Sequence, residues 1–186
     1  VERGECGRKR SAVEVLAQGE EAAAMFYHSD RFTRNGAMPP TALLLLQDLG
    51  SVQTLDGAAH RRRKALFLDL LDGAGTARLA KLVQAEWLAA LPQWQEMGEV
   101  VLHPAVQTVL TRAVCTWAGV PLHEDEVEER TRELSEMIMG AGSVGPRNLI
   151  AQLLRTQTER WARQWIEDIR DRKRDAPLDS PAYALA

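Results

Sequence analysis

Hydrophobic side chains recur three and four residues apart over most of this 186-residue chain, the period of one face of an α-helix. The clearest run is 76–96, where Leu79, Leu82, Val83, Trp87, Leu88, Leu91 and Trp94 keep that spacing. Pro92 falls inside it, so a helix kinked or split at that point is predicted. Further helices are predicted over 20–28, 41–47, 58–71 and 104–118. The acidic run 123–130 opens another, which the glycines of 140–145 end, and Pro146 opens a last one to about Lys173. Asp56 is placed to cap the 58–71 helix, and Asp72-Gly73-Ala74-Gly75 to stop it. A period of two shows once, at Val13, Val15 and Ala17, and predicts a short strand. The fold class is mainly α with a short β segment near the N-terminus, in a single domain over 1–186.

Composition adds limits. At 45% hydrophobic the chain can fill one core, and 23 basic against 26 acidic residues give a net charge of -3. That balance argues against a nucleic-acid partner for the molecule as a whole. No run of about 18 apolar residues exists, so no membrane span is predicted. Cys6 and Cys115 form neither a disulfide framework nor a metal spacing, which points to a reducing, cytoplasmic compartment. Both ends read as cut, so a piece of a larger fold is expected, here a single partial domain.

One stretch, 31–71, carries candidate chemistry. His60 and Lys64 are four residues apart on a predicted helix, so they share a face and can reach one anion. Leu66, Phe67, Leu70 and Leu71 follow on the same helix, and a dianion with an apolar body suits such a site. A run of His, three Arg and Lys is equally read as a solvated helix face, or as a phosphate-binding basic helix. Gln53, in a glycine-bounded loop, reads on its own as an ordinary loop amide. Cys115 falls at a core position, unlike an exposed thiolate with backbone N–H donors.

Spacing over the whole stretch carries more. "FY-x-x-x-RF-x-R-x-x-A-x-P" from Phe26 and "VQ-x-x-DG-x-AH-x-x-RK-x-LF" from Val52 are followed in order by five further elements. These are "AEW-x-AA-x-x-x-W" (85–94), "EVVL" (99–102), "RAVC-x-WAGVPL" (112–122), "GAGSVGPR" (140–147) and "W-x-x-x-WIEDIR" (161–170). Together they resemble the bacterial fatty-acid hydroxylases of the cytochrome P-450 superfamily that use hydrogen peroxide, from about residue 10 onward. The resemblance implies a partial cytochrome P-450 fold and a heme cofactor whose propionates meet His60, Lys64 and Arg34. It implies Gln53 in the pocket above the iron, Met38 and Leu46 in its apolar wall, and long-chain fatty acid and hydrogen peroxide as substrates.

The chain departs from the family pattern in four respects. Arg62 stands where the family has a second histidine, and "DLLDGAG" where it has "SLMTP". The cysteine loop that ligates the iron, and the Arg-Pro pair that holds the substrate carboxylate, have no match. The resemblance therefore implies a fragment that is inactive alone, against a rival reading as a non-catalytic helical remnant or interaction module. As a cut piece it should expose Met38, Leu46, Val52, Ala59, Leu66 and Ile138, with Gln53, His60 and Lys64 at their edge.

Overall fold

The computed structural model describes residues 18–28, 32, 33, 37, 43, 51–141, 143 and 145–186, and among them there is no strand. The strand expected at 13–17 lies outside the described residues, as does the short helix at 41–47 apart from Leu43, which is helical. The chain falls into two units, Val1–Thr33 and Arg34–Ala186. In the first, α1 (Glu20–Tyr27) opens with Glu20 and Glu21 at the positive end of the helix dipole. Its exposed Phe26 meets Tyr27 edge-on at 5.4 Å and Phe32 at 5.7 Å.

After Leu43, the first described elements of the second unit are a 3-10 turn, Val52–Thr54, and α2 (Gly57–Leu70). The glycines expected to stop this helix do something else. Asp72 accepts the Gly75 N–H at 2.9 Å, so it caps a new helix, α3 (Gly73–Met97), whose first turn holds both glycines. The helix also runs unbroken through Pro92, contrary to a split at that point. Proline removes one N–H, which leaves the Leu88 carbonyl short of a donor. Leu88 and Pro92 are both exposed, so solvent can serve that carbonyl.

Helix α4 (Leu102–Ala118) ends at Gly119, whose φ of 84° lets Val120 N–H reach back to the Cys115 carbonyl at 2.9 Å. In α5 (Glu124–Gly140) Glu126 accepts the His123 N–H at 2.9 Å, the reciprocal half of a capping box. Pro146 starts α6 (Pro146–Arg170), which stops three residues before the expected Lys173 because Arg172 turns to a φ of 58°. A five-residue helix, α7 (Pro181–Leu185), is too short to show a period and was not predicted.

Helices α3 to α7 pack in chain order, and α7 also returns to α4. Ala113 of α4 and Ala151 of α6 are fully buried, small enough to let backbones approach. Val109 and Cys115 of α4, Val127 of α5 and Leu154 of α6 are buried as well. A second cluster of Val120, Ile169 and Ala182, flanked by Trp161, Trp165 and Ile166, seals the end where α7 docks. No helix among the described residues is long and apolar enough to cross a membrane.

Candidate functional site

Helix α2 brings His60 and Lys64 together, as their spacing requires. Residues four apart are separated by about 40° around a helix, so both point to one side. His60 is half-buried and Lys64 exposed. Asp69, the one acid within Gly57–Leu70, stands about 140° from Lys64 and about 180° from His60 around the helix. Arg62 is about 200° from His60 and so lies on the opposite side of the helix, as a histidine at the same position would.

Gln53 sits in the 3-10 turn next to α2, where Thr54 N–H and Thr54 hydroxyl both donate to the Ser51 carbonyl at 2.9 Å. That double tie fixes the turn and leaves the Gln53 side chain exposed, available to a ligand beside the helix. Arg34, Met38 and Leu46 lie outside the described residues. Of the apolar group expected at the surface, Ala59 and Ile138 are exposed while Val52 and Leu66 are half-buried.

Cys115 is buried, and loss of solvent pushes its thiol up to about 11, with the nearby Arg130 opposing the shift. A neutral, enclosed thiol is a poor metal ligand, and the core position read from the sequence holds. The five tryptophans are all half-buried on helix faces, with Trp87 and Trp94 edge-to-face at 5.1 Å. Among the described residues, no three His, Cys, Asp or Glu converge to hold a metal ion.

Two arrangements escaped the sequence reading. One is a corner between α2 and α3, where Trp117 Nε1–H donates to the Gly75 carbonyl at 3.0 Å and Arg78 donates to the Trp117 carbonyl at 2.9 Å. The other is an open apolar groove between α4 and α5 lined by Leu110, Val114, Leu134, Met137 and Ile138, the last 69% exposed.

No protein-family model matches the chain. Solved structures do. Cytochrome P450SP alpha (CYP152B1) in complex with (R)-ibuprophen is similar at 42% identity and a TM-score of 0.84, over 90% of this chain and 41% of that one. Cytochrome P450EX alpha (CYP152N1) with myristic acid is similar at 38% identity and 0.79, over 89% of this chain and 39% of that one. A single-substitution variant of cytochrome P450 OleT in complex with arachidonic acid is similar at 26% identity and 0.82, over 88% and 39%. The chain thus spans about two-fifths of the length of each of these structures.

Proposed function

The chain belongs to the cytochrome P450 superfamily, among the CYP152 peroxygenases, and from that premise we propose that it forms the propionate-binding part of a heme-thiolate fatty-acid hydroxylase driven by hydrogen peroxide. The observation that carries this is the fold match, a TM-score of 0.84 at 42% identity over 90% of the chain. Two of the relatives hold myristic and arachidonic acid, which supports long-chain fatty acids as the substrate class. The reading places the protein in the cytoplasm.

The described residues fit one edge of a heme. His60 and Lys64 present an imidazole and an ammonium from one side of α2, two N–H donors that suit paired carboxylates. Arg34 adds a further propionate contact. Gln53 hydrogen-bonds peroxide, water or the substrate carboxylate through its amide, and Met38 and Leu46 wall the acyl chain. When bound, the heme supplies the oxidising chemistry with peroxide. The buried Cys115 thiol does not fit the iron, so the thiolate ligand comes from the cysteine loop that the family carries elsewhere in its length.

A chimera tests this. These 186 residues replace the matching two-fifths of cytochrome P450SP alpha, and the product should bind heme, show thiolate ligation with carbon monoxide, and hydroxylate myristic acid with peroxide. A folded chimera that binds heme without hydroxylating would overturn the assignment. His60→Ala with Lys64→Ala in the chimera should weaken heme binding, and unchanged affinity would remove those two residues from the site. The second reading, a helical module that partners another polypeptide, is supported by the apolar groove of α4 and α5, a kind of surface that marks interfaces.

A further inference from the structure

Helix α2 contributes no buried residue, and among the described elements it packs against the 3-10 turn. Among the described contacts, the direction of this 14-residue helix is set at its ends. Its C-terminal end is built far more tightly than a two-residue connection needs. Leu71 N–H closes α2 on the Phe67 carbonyl at 2.9 Å, and Thr76 hydroxyl donates to the Leu71 carbonyl at 3.0 Å. Asp72 then accepts the Gly75 N–H, so the residues between the two helices are bonded from both sides.

Gly75 brings the two backbones into contact, since a Cβ there would overlap the Leu70 carbonyl oxygen. The outer side of the corner is tied to the buried part of the molecule. Trp117, in the last turn of α4, donates its indole N–H to the Gly75 carbonyl. Arg78 donates to the carbonyls of Trp117 at 2.9 Å and Asp179 at 3.0 Å, and lies 6.0 Å from the Trp117 ring centre.

We propose that this corner aims the His60 and Lys64 side of α2, which makes Arg78 and Trp117 positioning residues for those two side chains. The inference rests on the cofactor reading of α2 given above. Lever geometry gives it force. His60 stands 11 residues before Leu71, about 16 Å along the helix, so a swing of about 10° at the corner displaces it by about 3 Å. Productive geometry at a site tolerates about 0.5 Å. Small errors at Gly75 are thus amplified beyond what a propionate contact can absorb.

Pulsed EPR distances test the proposal. Nitroxide labels go on Ala58→Cys in α2 and Ala162→Cys in α6, both exposed, in a Cys6→Ser background where the buried Cys115 is shielded from label. A control pair, Arg132→Cys and Ala162→Cys, reports the α5–α6 packing. The parent chain should give one narrow α2–α6 distance. Gly75→Ala should shift it by about 3 Å, as that lever implies. Arg78→Ala and Trp117→Phe should broaden it, and Arg78→Lys should restore part of the sharpness, all with the control pair unmoved. Trp117→Phe keeps an aromatic ring and loses the N–H, so it carries the test if Gly75→Ala does not fold.

Unchanged α2–α6 distributions in Arg78→Ala and Trp117→Phe would overturn the proposal. Hemin and hemin dimethyl ester, whose propionates are blocked, separate this from the cofactor reading. If the parent chain binds both porphyrins alike while the variants still broaden the distance, the corner aims α2 and the propionate assignment is what fails.

Discussion

Glu133 is fully buried, and its Oε2 lies 2.7 Å from Nη1 of Arg130 one turn earlier on α5. The Thr158 hydroxyl of α6 donates to the same oxygen at 2.7 Å, and the Arg130 guanidinium sits 5.3 Å from the Trp161 ring centre. The pair therefore joins α5 to α6 through charge in an interior setting. Breaking one side of such a pair strands the other, whereas replacing both by apolar groups relieves two desolvation penalties. Because Arg130 keeps Glu129 at 3.1 Å, Glu133→Ala is expected to cost about 1–3 kcal/mol in urea unfolding, and Arg130→Met with Glu133→Leu to remain close to the parent. A loss below about 1 kcal/mol for Glu133→Ala would show that the stranded Arg130 reaches solvent.

Gly119 serves two constraints at once. Its φ is 84°, and a Cβ there would lie 2.5 Å from the Ser180 hydroxyl oxygen. Gly119→Ala should destabilise the chain by about 1–2 kcal/mol from the left-handed backbone alone, and by more with the overlap. Ser180→Ala added to Gly119→Ala should recover only the part of the overlap due to the hydroxyl, because the Ser180 Cβ still lies 2.8 Å from that position. Thermal unfolding of the single and double variants separates the two, and full recovery in the double variant would show that the backbone term is absent.

Cys115, with its thiol pushed up to about 11, should resist a thiol reagent at pH 8 in the folded Cys6→Ser chain and react once urea unfolds it. Because burial favours the neutral thiol, its contribution to stability is complete below the ordinary thiol pKa and declines as pH rises from there towards about 11. The same neutrality predicts that the 186-residue chain, given heme, peroxide and a long-chain fatty acid, forms only background product. A carbon-monoxide difference spectrum typical of thiolate ligation would contradict that outcome.

Arg112 donates two hydrogen bonds to the Glu124 carboxylate, at 2.5 and 2.6 Å, and these hold its carboxyl below the ordinary value. Asp168 is lowered too, first by the Gln164 amide and then by Arg174. A lowered folded-state pKa means that each pairing contributes above the ordinary carboxylate pKa and is lost as pH falls through the folded value. Stability measured from neutral to acid pH should fall less steeply in Glu124→Gln than in the parent, the two curves meeting at low pH. Parallel curves over that range would show that the Arg112 pair adds nothing.

How much of this was legible in the sequence depended on the range of the interaction. Helix periodicity and the Pro146, Asp56 and His123 starts were readable because neighbours within four residues set them. The role of Gly73 and Gly75 was not, since Asp72 decides locally between stopping one helix and capping the next. Of the kink or split expected at Pro92 the split does not occur, because the cost of the proline depends on exposure, which the sequence does not show. His60 and Lys64 share a face by spacing alone, and Arg62 leaves that face by the same arithmetic. The Gly75–Trp117 bond joins residues 42 apart, and no local pattern announces such a pairing.

Arg78 reaches across 101 residues to the Asp179 carbonyl, whereas most other contacts join helices that are neighbours in the chain. Sequence-local helix pairs form early in folding, and a clasp over so long a loop closes late because its chain entropy is spent before it gains a contact. The Arg78 clasp is thus absent from the transition state. Its loss would leave the refolding rate nearly untouched and appear almost wholly as faster unfolding. The same clasp that sets an angle in the finished structure also governs how long that structure lasts before it opens.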